Sequence, residues 1–432
     1  MVEKTRLAPY VFKVPIERVR AGYYADKYFT RYVDILRKDN LHQKVVYQIF
    51  PRADAVVAGL DEACAILRCG CGYYTDEEKA DKMFRDLLHI ENELAIAEYR
   101  YDVKSIESNT TRRLQVREEL MGLWVDKWHE INVRALFDGD TALDKEPILV
   151  IEGDPAYFGH LETLVLGVIA RATSTATSVR KVVQASQGKP IIFFSARFDH
   201  HWVQATDGYA AFKAGAFGVS TDANADYWGS EAQGTIPHAL ISCYKGDTAA
   251  AAFAFDRHMP PSVNRLVLVD WENDCLGTTE KVVGEFYRHF TGKEFIPGKT
   301  DPSPVIGQGK GKIWGVRFDT SGNMRDVSVE PRDESSLGVN PELVWKARRR
   351  FDALGLKDLK IMVSGGFGTE KISLFERLGA PVDMYGVGST LLRNKIDMTA
   401  DVVEVEGIPC AKVGRKKGDF SRLTPVNLNN GI

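Results

Sequence analysis

The sequence predicts an α/β protein whose larger part is a parallel α/β barrel. From residue 190 onward, seven short apolar runs of strand character alternate with stretches of helical periodicity, and this alternation is typical of a parallel barrel. The length of 432 residues suits two domains or a large barrel with an appendage. The tail after residue 396 is too short for another domain, so we expect it to return to the first part of the chain.

The first 153 residues predict a domain that mixes strands and helices. Strand-like runs lie at 42–51 and 146–153. The segment 76–100 predicts a charged amphipathic helix, because its apolar residues recur at helical spacing. A second helix is expected at 112–129, and the two have the composition of an ordinary solvated pair.

The barrel is predicted to occupy residues 154–396. Its seven strands are expected at 190–194, 216–220, 234–241, 265–270, 312–319, 359–366 and 383–389. Helical periodicity marks 278–290, 342–354 and 369–379. The last segment, 397–432, contains a strand-like run at 401–414, which predicts a strand pair that joins the first domain.

Composition and charge exclude several classes of protein. Hydrophobic residues make up 44% and charged residues 27% of the chain, as expected of a soluble globular protein. The formal net charge of −3 gives no global electrostatic reason to bind nucleic acid or an anionic membrane. The six cysteines form neither a zinc spacing nor a disulfide framework, which indicates a reducing cytoplasm. The first fifteen residues contain no continuous apolar stretch, so we expect no secretory leader, and the sequence contains no apolar run of about eighteen residues.

Candidate functional residues collect where the predicted strands end, which is where barrels carry their chemistry. A basic residue, an acid, a histidine or a glycine turn marks these positions in the sequence. The candidates at the first five ends are Phe194 and Arg197, Ser220 and Thr221, His238, Asp270 and Asp274, and Arg317 and Asp319.

The last two strand ends carry glycine turns that predict a phosphate site. "SGG" (364–366) and "GVGST" (386–390) are each followed by a helical stretch. Glycine lets the backbone approach a ligand closely, and helix N-termini favour anions. The alternative is a pair of ordinary tight turns. The residues expected to bind phosphate are Ser364, Gly365, Gly366, Gly386, Gly388 and Ser389.

The charged candidates allow two interpretations each. Arg317 and Asp319 lie two residues apart on one strand and therefore face the same side, either as a structural ion pair or as ligands of a phosphate and a hydroxyl. Asp270 and Asp274 suit a hydrated Mg²⁺ on a pyrophosphate, or are solvated loop acids. Taken alone, His238 would be a satisfied core histidine. Together these residues suit a ligand with several phosphates and a hydroxyl-bearing ring.

Six motifs, in this order and at barrel-like spacing, give the chain a specific resemblance to the nicotinate phosphoribosyltransferases, and most of all to their shorter archaeal and bacterial form. The likeness runs from residue 147 to residue 407, and "YADKYFTRY" (24–32) resembles the family's N-terminal segment. The helical pair near 78–130 looks like an insertion. The motifs are "HLETLVLGVIARAT" (160–173), "GTIPHAL" (234–240), "LVD" (268–270), "VRFDTSG" (316–322), "VSGG" (363–366) and "APVDMYGVGST" (380–390).

The resemblance implies the type II phosphoribosyltransferase fold, an irregular α/β barrel packed against an α/β sandwich built from both termini. It implies a homodimer or larger homo-oligomer with active sites shared between subunits. The implied reaction joins nicotinate to 5-phosphoribosyl-1-pyrophosphate, giving nicotinate mononucleotide and pyrophosphate for NAD salvage. Mg²⁺ is needed in the family, and many members couple the reaction to ATP by phosphorylating the motif histidine.

The resemblance also implies roles for individual residues around the pyridine ring. Phe194 would stack on one face of nicotinate, and Tyr28 of the other subunit would stack on the opposite face. Arg197 would face the carboxylate or the pyrophosphate. Ser220, followed by Thr221, stands where the related nicotinamide enzymes place an aspartate. A hydroxyl donates to a carboxylate, whereas an aspartate would repel it, so nicotinate is the expected substrate.

On the donor side, His238 is identified as the motif histidine, and Arg317 and Asp319 would bind the phosphoribosyl group, with Asp319 on a ribose hydroxyl. The glycine turns would hold the 5-phosphate. Many members of the family have two adjacent arginines where this chain has Arg197-Phe198, and a Ser-Gly where it has the longer Thr320-Ser321-Gly322. These departures concern the geometry of carboxylate and pyrophosphate binding rather than the class of reaction.

Four alternatives remain open from the sequence. A nicotinamide enzyme is disfavoured by Ser220, and a quinolinate enzyme would need more basic side chains for its second carboxylate. A barrel isomerase or aldolase would use only the phosphate loops, but neither Lys312 nor Lys360 stands at a strand end suited to a Schiff base. A catalytically silent homologue is disfavoured by the presence of His238, Arg317 and Asp319.

Overall fold

The computed structural model describes residues 4–428, and within that range the chain forms two compact units. One unit runs to Ser174 and resumes at Lys395, and the other comprises Thr175–Asn394. The division falls inside the helix Glu162–Ala185. The first three and last four residues of the predicted terminal segments 1–153 and 397–432 lie outside the described residues.

The first unit is built on a six-stranded antiparallel sheet. Its central strand, Val45–Pro51, is buried along its whole length, and both of its edges are paired. The late strand Met398–Val405 pairs with one edge and Leu149–Gly153 with the other. In order across the sheet, the strands are Ile408–Pro409, Met398–Val405, Val45–Pro51, Leu149–Gly153, Asn132–Ala135 and Thr424–Pro425. Two further antiparallel pairs are Ala55–Val56 with Thr141–Ala142, and Gly72–Tyr74 with Trp124–Asp126.

The helical pair of this unit is present, but its second helix begins earlier than predicted. The expected range was 112–129, whereas the helix spans Val103–Leu123. Asp102 caps it by accepting a hydrogen bond from the Ser105 backbone N–H at 3.3 Å, and the chain beyond it enters the strand Trp124–Asp126. The α-helices of this unit are Ile16–Arg20, Lys27–Lys38, Leu60–Gly70, Glu77–Arg100, Val103–Leu123, Pro155–Phe158 and the first half of Glu162–Ala185.

The second unit contains a six-stranded, wholly parallel sheet that curls into a half-barrel. Neighbouring strands run in the order third, fourth, fifth, sixth, first and second. In chain order they are Ile191–Phe193, Gly218–Val219, Leu266–Leu268, Gly315–Phe318, Lys360–Val363 and Met384–Val387. The α-helices that start in this unit are Gln204–Lys213, Asp222–Ala225, His238–Cys243, Thr248–His258, Cys275–Thr291, Pro341–Ala353 and Thr369–Arg377.

The prediction of a strand at 234–241 was wrong, and the half-barrel has six strands where seven were expected. Residues from His238 to Cys243 form a short helix. Pro237 has no backbone N–H to donate to a ladder, and a short apolar run does not distinguish helix from strand by its periodicity. The segment before the helix makes one backbone bond to each flanking strand, from Gln233 N–H to Val219 and from Ile236 N–H to Leu266.

In the part of the chain that the structure describes, no helix is both long enough and apolar enough to cross a membrane.

Arg265 is a buried structural cation at the start of the strand Leu266–Leu268. Its side chain is only 1% exposed. It donates to the Asp256 carboxylate at 2.8 Å and to the carbonyls of Met259 and Pro260. Since both charges are out of water, each depends on the other for compensation.

We therefore expect Arg265→Met to lower the free energy of unfolding by about 3–5 kcal/mol, because it leaves a buried carboxylate without its partner. Urea denaturation of the variant measures this loss. The matched double variant Arg265→Met/Asp256→Asn removes both charges and should recover part of it. A single variant as stable as the wild type would show that the pair has no structural role.

Candidate active site

A charged cluster lies at the carboxyl ends of the parallel strands. Arg317 and Asp319 form an ion pair with 3.7 Å between Nη2 and Oδ2. Burial lowers the pKa of Arg317, the carboxylates of Asp319 and Asp270 oppose that shift, and Arg197 adds to it. The Nε of Arg317 is buried without a hydrogen-bond partner. The cluster therefore contains a desolvated guanidinium with donor capacity left for an anion.

His238 contacts this cluster through Asp270. Its Nε2 lies 3.1 Å from Asp270 Oδ1, and its side chain is 44% exposed. Such exposure excludes the core-histidine interpretation. Burial raises the pKa of the Asp270 carboxyl, His238 opposes the shift, and the nearby Asp319 carboxylate adds to it. Asp270 therefore lies between an imidazole and a second carboxylate.

The two acids expected to hold Mg²⁺ occupy different environments. Asp274 caps the helix Cys275–Thr291, with Oδ1 accepting from the Gly277 backbone N–H at 2.8 Å. Asp270 is instead close enough to Asp319 for the two carboxylates to repel each other. Mg²⁺ often takes only one or two carboxylates besides waters and substrate phosphates. Asp270 with one further carboxylate fits that donor set. No group of three or more His, Cys, Asp or Glu side chains suited to a metal is found among residues 4–428.

The two glycine turns need glycine for different reasons. Gly365 and Gly366 have φ of +90° and +67°, a left-handed conformation that strains other residues. A Cβ on Gly386 would lie 2.7 Å from the Phe194 ring, and one on Gly388 would lie equally close to the Phe198 ring. The first turn is thus shaped by its backbone and the second by aromatic side chains packed against it.

Hydrogen bonds join the turns to each other and to the charged cluster. The Ser364 hydroxyl donates to Asp319 Oδ1 at 2.7 Å. Thr390 Oγ1, in the 3-10 helix Ser389–Leu392, donates to the Phe367 carbonyl at 2.7 Å. Both turns therefore lie at the same end of the sheet as Asp319, as the strand-end pattern predicted.

Lys371 was missed by the sequence analysis. It is the third residue of the helix Thr369–Arg377, and its Nζ reaches back to the Gly365 carbonyl at 3.2 Å. Burial lowers the pKa of this lysine to about 8. The sequence signal for it is a lysine in the first turn of a helix that follows a glycine turn, a position that lies beyond the strand ends.

Phe194 follows the first strand and is half-buried. The guanidinium carbon of Arg317 lies 6.0 Å from its ring centroid, so the ring and the charged cluster are neighbours. The ring also lines a cavity of about 820 Å³, together with apolar residues such as Trp314 and Met362 and polar ones such as Glu231. An aromatic face between a cationic cluster and a cavity of mixed polarity is suited to a flat, partly apolar ligand.

The other candidates have diverse surroundings. Ser220 is half-buried directly after the strand Gly218–Val219. The Thr221 hydroxyl accepts from the Asn224 backbone N–H at 3.2 Å, and so caps the next helix. Arg197 is exposed in a 3-10 helix. Tyr28 belongs to the first unit, where its side chain is 63% exposed on the helix Lys27–Lys38.

Comparison with known proteins finds phosphoribosyltransferases of nicotinate. The chain is 27% identical over 282 residues to the nicotinate phosphoribosyltransferase pncB1 of Mycobacterium tuberculosis. The aligned region covers 64% of this chain and 54% of that protein. A solved structure described as nicotinate-nucleotide pyrophosphorylase from Pyrococcus furiosus has a TM-score of 0.66 at 25% identity, covering 96% of this chain and 85% of the other. Human nicotinic acid phosphoribosyltransferase has a TM-score of 0.55 at 16% identity, covering 89% and 75%. No family model matches the chain.

These comparisons confirm the resemblance that the motifs indicated and the predicted type II phosphoribosyltransferase fold. The chain spans about half the length of the curated relatives that it matches. The human structure, at 16% identity, supports the fold alone.

Proposed function

We propose that this protein transfers the phosphoribosyl group of 5-phosphoribosyl-1-pyrophosphate to nicotinate, forming nicotinate mononucleotide and pyrophosphate. One observation carries the proposal: Asp319 lies between the Arg317 guanidinium and the first glycine turn, which it contacts through Ser364. This arrangement supports a role for the carboxylate as acceptor from a ribose hydroxyl, between a cation and a turn suited to phosphate. The similarity to enzymes named for this reaction supports the same conclusion.

The donor would be held at three points. The glycine turns would bind its 5-phosphate, Asp319 would accept from a ribose hydroxyl, and Arg317 would bind the pyrophosphate. Departure of pyrophosphate leaves an oxocarbenium-like ribose, so stabilising the leaving anion should lower the barrier most. Arg197, which is close enough to lower the pKa of Arg317, and His238 would add to that stabilisation.

Nicotinate would need orientation more than activation. Its ring nitrogen is already nucleophilic, so no general base is required, and stacking on Phe194 would place it for attack. Ser220 would donate to the carboxylate. The exposed ring of Tyr28 supports a role on the opposite face in a neighbouring subunit, and we propose a homodimer or larger homo-oligomer on that basis.

Mg²⁺ and ATP are part of the proposal. Asp270 would hold Mg²⁺, which when bound neutralises charge on the pyrophosphate. Asp274, whose Oδ1 also caps a helix, stays the predicted second ligand. The exposure of His238 and its contact with Asp270 also support its phosphorylation by ATP.

All six cysteines are free, which supports the expected reducing cytoplasm.

Replacing Ser220 should change the choice between acid and amide. We expect Ser220→Asp to raise KM for nicotinate by at least about tenfold, because a carboxylate here repels the substrate carboxylate. The ratio of kcat/KM for nicotinate to that for nicotinamide is the measurement. Ser220→Ala, which removes the donor without adding charge, should change that ratio less. Equal ratios in all three proteins would remove Ser220 from the pyridine site.

A comparison of pyridine bases tests the proposed function. The protein is incubated with the phosphoribosyl donor and Mg²⁺, with or without ATP, and with nicotinate, nicotinamide or quinolinate. Chromatography of the nucleotide products should show nicotinate mononucleotide from nicotinate and little product from nicotinamide. Preferential use of quinolinate or nicotinamide would replace nicotinate in the proposal.

A further inference from the structure

We propose that Lys371 binds the 5-phosphate of the donor and supplies the positive charge of the first glycine turn. This inference rests on the proposed function, which it extends to a residue outside the strand ends. The glycine turns offer backbone N–H groups, and a cation would strengthen the binding of a phosphate dianion. The charge of Arg317 already interacts with those of Asp270 and Asp319.

The position of Lys371 follows from the path of the chain. The turn at residues 364–366 leads through Phe367 into the helix that begins at Thr369. Its N-cap residue, Gly368, has no side chain that could cap the helix. The lysine side chain folds back over the Phe367 ring, with Nζ 4.3 Å from the ring centroid. Its Nζ donates to the carbonyl of Gly365 at 3.2 Å, the first of the two left-handed residues. The ammonium group is therefore part of the turn itself.

Lys371 has no anionic partner among the described residues. No carboxylate there forms an ion pair with it, and burial is the only cause of the lowering of its pKa to about 8. Two acids belong to the same region: Glu370, which is exposed on the same helix, and Asp319, which contacts the turn through Ser364. Neither contributes to the pKa shift of Lys371.

A largely buried lysine without a counter-ion is unusual, because burial disfavours the charged form. A purely structural side chain here could be Met or Leu, which would pack on Phe367 without that cost. A bound phosphate monoester would supply the missing negative charge and raise the pKa of the lysine. The feature is thus explained by a ligand that arrives carrying charge.

The sign of the pH dependence follows directly. The cation is needed for phosphate binding, so affinity should be full below the pKa of the free lysine and should decline as pH rises through about 8. Arginine stays protonated over this range. Lys371→Arg should therefore keep the phosphate affinity of the wild type, and its affinity should not decline at alkaline pH.

The test uses ribose 5-phosphate as the probe and isothermal titration calorimetry on the full chain between pH 6.5 and pH 9.5. Lys371→Met should weaken binding by about 10–100-fold at pH 7, the usual effect of losing one charge-assisted hydrogen bond. Lys371→Arg should bind within a few-fold of the wild type with a flat pH profile. Thermal unfolding of each variant shows whether the fold is kept, and the arginine profile tests the inference even if the methionine variant unfolds.

The inference is overturned if the wild type does not bind ribose 5-phosphate, if a folded Lys371→Met binds as tightly as the wild type, or if Lys371→Arg retains the alkaline decline. Failure of the proposed function looks different. In that case ribose 5-phosphate binding depends on Lys371, but no nucleotide forms from any pyridine base. If the enzyme is active but a folded Lys371→Met binds ribose 5-phosphate as tightly as the wild type, only the role of Lys371 is rejected.

Discussion

Asp319→Ala is expected to lower kcat/KM for the phosphoribosyl donor by about 10²–10³-fold, the range seen when one group that stabilises a transition state is removed. Asp319 would accept from a ribose hydroxyl, and it also pairs with Arg317 and with the Ser364 hydroxyl. Steady-state kinetics at varied donor concentration measures the effect.

Two controls accompany this variant. The circular dichroism spectrum of Asp319→Ala should match that of the wild type, since the side chain is 25% exposed and lies at the site rather than in the core. Asp358→Ala, which removes an exposed carboxylate from a loop of the same unit, should keep full activity. Full activity in Asp319→Ala would remove Asp319 from the site.

Arg317→Met should reduce kcat/KM for the donor on the order of 10³-fold, because it removes the pyrophosphate ligand and leaves two neighbouring carboxylates without their cation. Asp270 and Asp319 both interact with this guanidinium. The loss should appear chiefly in the kinetics of the donor, with a smaller change in KM for nicotinate.

Arg317→Lys is the matched control. It keeps the charge but not the planar fork that binds phosphate at two points, so its activity should lie between those of the wild type and Arg317→Met. An unchanged KM for the donor in a folded Arg317→Met would show that Arg317 does not bind the pyrophosphate.

Much of the half-barrel was predictable because its strands are short apolar runs bounded by turns. Gly315–Phe318 and Lys360–Val363 fall inside their predicted ranges. The segment 234–241 differed because a six-residue helix and a strand both bury a short apolar run, and Pro237 decides between them through its missing N–H. The apolar pattern therefore predicted that a buried element lies here, but it did not distinguish a helix from a strand.

The site was predictable where its geometry is local. Two-residue spacing on a strand was enough to bring Arg317 and Asp319 together. The contact between His238 and Asp270 joins residues 32 positions apart, so no spacing rule predicts it. Lys371 reaches the glycine turn only because its helix starts close by, and Asp274 could be recognised as a cap only once the helix start was known.

The most direct test of the central claim is the release of pyrophosphate that depends on both nicotinate and the phosphoribosyl donor. With Mg²⁺ present, the protein should release one pyrophosphate for each nicotinate mononucleotide formed, and omitting nicotinate should stop the release. No release of pyrophosphate with any pyridine base, with or without ATP, would contradict the proposal that this protein is a phosphoribosyltransferase.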